Sequence, residues 1–263
     1  MIKVTVWNEN YHEKTMPEML EVYPKGLHGA IADILSVEKD FTVRTATQDQ
    51  PNYGLTDEIL DDTDVLIWWG HAIQNDIPDS LAANIALRVQ KGMGLIALHS
   101  SHYAKPFRAL IGSGSCTLRS RNSDYERLWC VSPAHPIAKG IPSYIELGTE
   151  EVYCEHFNIP KPDELVFLGW YRGGEVFRSG CCWRRGFGKV FYFQPGHETF
   201  ASFHNKYIKR ILINAVRWAC PETRMYGNNW YFEKESPEEC LKSGKRLEPY
   251  VKADLEEDSV SKR

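Results

Sequence analysis

The 263-residue chain contains no apolar run that approaches the length needed to span a bilayer. Its start, Met-Ile-Lys-Val-Thr-Val-Trp, lacks the basic segment, long apolar stretch and small-residue cleavage site of a signal peptide. The seven cysteines, at 116, 130, 154, 181, 182, 220 and 240, form no Cys-x-x-Cys pair, and an odd number does not complete a disulfide framework. A formal charge of −4 with both signs interspersed provides no basic footprint for nucleic acid or anionic lipid. Gly112-Ser113-Gly114-Ser115 follows no strand and precedes no Lys-Ser/Thr, so it is not a phosphate-binding loop. Neither His-Glu-x-x-His nor Gly-x-Ser-x-Gly occurs. These absences lead to the expectation of a cytoplasmic protein with reduced thiols, a small-molecule partner and no nucleotide cofactor, nucleic acid or membrane.

What is present is ordinary globular composition, 43% hydrophobic and 25% charged, arranged as alternating strands and helices. Strand-like runs at 3–7, 42–46, 65–69, 94–98 and 190–193, the last three apolar almost throughout, predict strands. Helical spacing predicts helices starting near Gly26, over 57–60 with Thr56 as N-cap, over 78–90 and 106–111, and over 205–219 with a clean apolar face. This alternation predicts an α/β fold with a mainly parallel sheet and helices on both faces. Short β-like runs at 127–131, 144–147, 151–154, 165–170, 175–178 and 181–184, with turns at Gly173-Gly174 and at 185–188, predict an antiparallel extension. The composition changes beyond Cys220-Pro221. We therefore expect one domain over 1–221 and a tail or arm over 222–263 whose aromatics pack either on this subunit or on a neighbouring subunit of a homo-oligomer, with disorder over the last ten or so residues the alternative for its end.

Ligands of open α/β sheets bind outside the carboxyl ends of the strands, and these strands end in polar residues. The first ends in Asn8, Glu9 and His12, the third in His71, the fourth in His99, Ser100, Ser101 and His102, and the last parallel one in His197 and Glu198. Topology can bring such residues together where sequence spacing does not. Imidazoles and carboxylates suit a divalent metal such as zinc, and His12, His71, His99, His156 and His197 with Glu9, Glu151 and Glu198 are candidate ligands. General acid–base work without a metal is the other chemistry they could perform, with Glu150 or Glu151 as acid beside Tyr153 and His156. Aromatic rings beside such groups suit a carbohydrate.

An ordered set of short motifs resembles the trehalose-utilisation, or ThuA-like, family. It comprises Val6-Trp7-Asn8-Glu9, Trp69-Gly70-His71, Gly94-Leu-Ile-Ala-Leu-His99-Ser100, His135-Pro136-Ile137 with Gly140-Ile141-Pro142, and Gly188-Lys-Val-Phe-Tyr with Gly196-His197-Glu198, across residues 2–220. The resemblance implies a flavodoxin-like three-layer sandwich similar to class I glutamine amidotransferases, and a role in trehalose or related disaccharide catabolism. In those amidotransferases the fourth-strand elbow carries a cysteine, where this chain has His99, so glutamine hydrolysis is not expected. The site expected on these grounds has His99, His197, Glu198 and Glu151 as catalytic groups. Asn8, Glu9, Ser100, His102 and Tyr153 are expected to bind substrate, and His71, His99, His156 and His197 to hold a metal. Two readings stay open: an enzyme acting on a sugar or oxidised sugar derivative, or a non-catalytic sugar-binding or accessory protein.

Overall fold

A computed structural model describes residues 1–222 and Lys242. Contacts divide the chain into Met1–Arg224 and Met225–Arg263, and the fold described here belongs to the first unit. The expected arm over 222–263 lies outside the described residues except for Glu222 and Lys242. No helix among the described residues is long and apolar enough to cross a membrane.

Nine strands form one sheet: β1 (Ile2–Asn8), β2 (Phe41–Thr47), β3 (Val65–Trp69), β4 (Gly94–Leu98), β5 (Arg119–Cys130), β6 (Tyr144–Cys154), β7 (Glu164–Tyr171), β8 (Val176–Arg185) and β9 (Gly188–Phe193). Their spatial order is β2-β1-β3-β4-β9-β8-β7-β5-β6. The first five in this order pair in parallel, and every pairing from β9 outward is antiparallel. The parallel part follows the 2-1-3-4-5 order of a doubly wound sheet, so its ligand crevice lies at the carboxyl ends beside the switch between β1 and β3.

Side-chain alternation builds a core on each face. Val4, Val6, Val65, Ile67, Trp69, Ile96, Leu98, Phe191 and Phe193 face one core, with α3 (Gly26–Leu35) and α7 (Lys206–Ala219). Trp7, Leu66, Trp68, Leu95, Ala97, Val190 and Tyr192 face the other, with α5 (Asp79–Gln90) and α6 (Lys105–Ile111). Strands buried on both faces read as continuous apolar runs, which is why β3 and β4 are legible in the sequence to the residue. Gly94 lets β4 start against the end of α7, since a Cβ there would lie 2.5 Å from the Ala219 carbonyl oxygen. Asn205 caps α7 by accepting from the Tyr207 and Ile208 amides at 2.8 and 3.4 Å. Thr56 caps the short α4 (Asp57–Asp61), as predicted, accepting from Ile59 N at 3.4 Å.

The extension departs from the expected boundaries. Runs 144–147 and 151–154 join into one strand, as do 175–178 and 181–184, and β5 begins eight residues before its predicted start at Arg127. Residues 119–123 are all exposed and polar, so nothing apolar announces a strand; backbone pairing with β6 holds them. Ahead of α3, where no helix is predicted, the chain folds as two short helices, α1 (His12–Thr15) and α2 (Pro17–Val22).

Candidate active site

β1, β3, β4 and β9 deliver their terminal polar residues to one edge, and the far end of β6 reaches them. His99, the residue after β4, has φ +52°, a left-handed conformation unusual for a side chain other than glycine. This sharp elbow turns the ring beneath the carboxyl ends. Its Nδ1 donates to the Gln194 carbonyl at 2.9 Å, and its Nε2 lies 3.0 Å from Glu151 Oε2. The Tyr153 ring stacks on it at 5.1 Å, and Tyr153 Oη bonds Ser100 Oγ at 2.8 Å.

His99 is wholly buried, while Glu151 and His197 reach a cavity of about 460 Å³ walled by Ser120, Arg121, Asn122, Ser123 and Phe200. That volume is in the range of small-ligand sites. Burial opposes a charge on His99, but its bond to Glu151 and the fields of Glu151, Glu150 and Glu198 outweigh this and raise its pKa. Glu151 is pushed up by partial burial and pulled further down by the same bond and by the histidines around it, so its pKa falls. Both shifts favour the charged imidazolium–carboxylate form of the pair. Burial and the charge of His99 bring His197 down to about 4, so its ring is neutral at pH 7. The Thr199 amide can only donate, so His197 Nδ1, 3.2 Å from it, accepts; the neutral ring carries its proton on Nε2.

A second group adjoins the first. Glu198 lies 3.3 Å from His71 Nδ1 through either oxygen and 3.8 Å from His12 Nε2. Burial raises its pKa, but the bond to His71 and the charges of His197, His71 and His99 outweigh this and hold it at about 2. His12, His71 and Glu198 form one set of potential ligand atoms within 4.8 Å of one another, and His99, Glu151 and His197 form another. The rings of His71 and His99 are centred 6.2 Å apart.

The structure thus sorts the expected site residues. Glu151, His197, Glu198 and His71 converge with His99. His156 is exposed and belongs to neither group, because it lies beyond the end of β6. Asn8 is fully buried and bonded to Glu13 and to the Asn10 amide. Glu9 is also buried and accepts from the Ala72 and Ile73 amides at 2.8 and 2.9 Å, which fixes the loop carrying His71. His102 is buried against Tyr153, Phe157 and Tyr192 and bonds the Cys116 carbonyl at 3.0 Å, with burial bringing its pKa to about 3. Tyr153 and Ser100 support His99 from below the cavity.

Sequence reasoning misses three participants: the Gln194 carbonyl that orients His99, Thr199 beside His197, and the cavity wall at 120–123. None carries a motif. Glu150 is singled out in the sequence, but its role is not legible there. Fully buried, it accepts from the Gly196 and His197 amides at 3.2 and 3.3 Å and from Ser202 Oγ, tying β6 to the loop after β9.

The sequence matches the ThuA family, described as trehalose utilisation, over residues 3–219. The chain belongs to this family. ThuA membership implies a role in trehalose utilisation. No curated protein matches the sequence. Among solved structures, a ThuA-like protein from Parabacteroides merdae is similar with a TM-score of 0.62 at 14% identity, covering 86% of this chain and 92% of that one. A ThuA-like protein from Bacteroides uniformis gives 0.55 at 15% identity over 83% and 91% of the two chains. A protein from Salmonella typhimurium described as cytoplasmic gives 0.54 at 13% identity over 83% and 100%. At these identities the likeness is one of fold.

Proposed function

We propose that this ThuA-family protein is a cytoplasmic enzyme of trehalose or related disaccharide utilisation, acting on a sugar or oxidised sugar derivative at the Glu151–His197 cavity. One observation carries the reading: Glu151, 3.0 Å from the buried His99 ring, and the neutral His197 line one open, polar cavity. In an oxidised sugar, a carbon next to the carbonyl bears an acidic hydrogen. Glu151 takes that proton, and the His197 Nε2–H donates a hydrogen bond to the oxygen on which negative charge develops. His99 does not reach the cavity. It is a positioning residue that keeps Glu151 ionised and aimed, while the Gln194 carbonyl fixes its tautomer.

We read the fold as the flavodoxin-like, amidotransferase-like sandwich, with His99 at the elbow in place of a cysteine; hydrolysis of glutamine is therefore not the proposed reaction. The six free thiols among the described residues suit a reducing compartment. Calorimetry and product analysis with trehalose, related disaccharides and their oxidised derivatives test the proposal. Conversion of at least one of them is expected. Binding without conversion across the panel would instead support a sugar-binding accessory protein, which the loss of the elbow nucleophile also allows.

A further inference from the structure

We propose that His12, His71 and Glu198 hold a divalent transition-metal ion, leaving Glu151 and His197, with His99 behind Glu151, for the proton-transfer chemistry. The assignment rests on the acid–base reading of the second group and divides the labour between the two. Three observations point to the first group as the cation site.

First, its spacing suits ligands around an ion, although His71 and Glu198 are also within hydrogen-bond distance. His71 Nδ1 lies 3.3 Å from each Glu198 oxygen, and His12 Nε2 lies 3.8 Å from Glu198 Oε1. Ligand atoms about 2.0–2.1 Å from a tetrahedral ion stand roughly 3.4 Å from one another, so small side-chain movements close the shell. His99 and Glu151, by contrast, are in direct contact at 3.0 Å, and an ion would have to part them.

Second, the His12 side chain is only 9% exposed, and its Nδ1 has no hydrogen-bond partner. A buried, unpartnered imidazole is costly. An ion on Nε2 would fix the tautomer with its proton on Nδ1, directed at the Glu9 carboxylate, while the other ring nitrogen faces Glu198.

Third, Glu9 supplies an outer carboxylate. Its Oε1 lies 3.7 Å from His12 Nδ1 while both its oxygens bond the amides of Ala72 and Ile73, next to His71. A carboxylate behind a ligating histidine orients the ring and raises its basicity. Two imidazoles and one carboxylate suit zinc and cobalt(II).

The test is titration of the metal-free full-length chain with Co²⁺, read by visible absorption, and with Zn²⁺, read by calorimetry. One ion per chain is expected, with the absorption of a tetrahedral or five-coordinate N/O site. His12→Ala and the isosteric Glu198→Gln should abolish it, and Glu9→Gln should weaken it about 10–100-fold. His99→Ala and Glu151→Gln should leave it within about threefold. Far-UV circular dichroism and thermal melting identify any variant that fails to fold, and Glu198→Gln carries the test if His12→Ala does. Absence of binding by the wild type overturns the proposal. So does binding that survives His12→Ala and Glu198→Gln but is lost in His99→Ala, which would place the ion in the neighbouring group. Because no readout depends on sugar turnover, failure here leaves the acid–base reading standing, and failure to convert any sugar leaves the metal site standing.

Discussion

His99 holds a left-handed backbone conformation that an ordinary side chain occupies at some cost, of order 1–3 kcal/mol, and such strain persists where the surroundings over-determine it. Here the surroundings are named: the Gln194 carbonyl, Glu151, the stacked Tyr153 ring and the Tyr192 hydroxyl, which donates to the His99 carbonyl at 3.0 Å. Glu9 illustrates a different residue-scale role. Its carboxylate serves two backbone donors, so Glu9→Ala removes a charged acceptor from both amides. We expect a loss of about 1–3 kcal/mol in urea unfolding, and an unchanged midpoint would remove Glu9 from this role. Glu150 has the same function with more partners. Glu150→Ala should therefore cost about 2–4 kcal/mol by the same measurement, and should also loosen the loop carrying His197 in hydrogen exchange.

At the scale of elements, the end of β6 and the start of β8 are joined by Glu155, which accepts from Arg178 Nε at 2.8 Å, Arg178 Nη2 at 3.0 Å and the Phe157 amide at 2.8 Å. Burial raises its pKa, but Arg178 and the Phe157 amide outweigh this and hold it below the usual carboxylate range. A carboxylate depressed in the folded state contributes stability that is present above its unfolded pKa, about 4.3, and is lost as pH falls through the folded value. Glu155→Gln should thus cost about 1–2 kcal/mol at pH 7 and progressively less below pH 4, as measured by urea unfolding across pH. An equal cost at pH 7 and pH 3 would contradict the pairing. At the start of β4, Gly94→Ala would force its methyl against the Ala219 carbonyl, and the expected cost is about 1–3 kcal/mol. The sequence displays elements to the extent that burial writes a pattern. Val65–Trp69 and Gly94–Leu98 are apolar throughout because both faces are covered. Arg119–Ser123 is exposed and polar, and Gly148-Thr149-Glu150 breaks the apolar run of β6, so the early strand and the joined one are invisible before folding.

For the molecule as a whole, the parallel order of the sheet makes the strand ends a site, and that much follows from the alternation of elements alone. The chemical division within the site does not, because it depends on which histidine is buried. His99 sits at the most conspicuous position in the sequence yet is sealed from the cavity, while Glu151, arriving from the edge strand β6 at the far end of the sheet, is the group exposed to a ligand. The family supplies the metabolic setting, trehalose utilisation. The central claim is that Glu151 performs the proton transfer on the sugar. It is tested most directly by comparing single-turnover rates of the wild type and Glu151→Gln on the disaccharide, or oxidised disaccharide, that the wild type converts. The account predicts a rate loss of about 10²–10⁴-fold with sugar affinity changed by no more than a few fold; equal rates for the two proteins would contradict it.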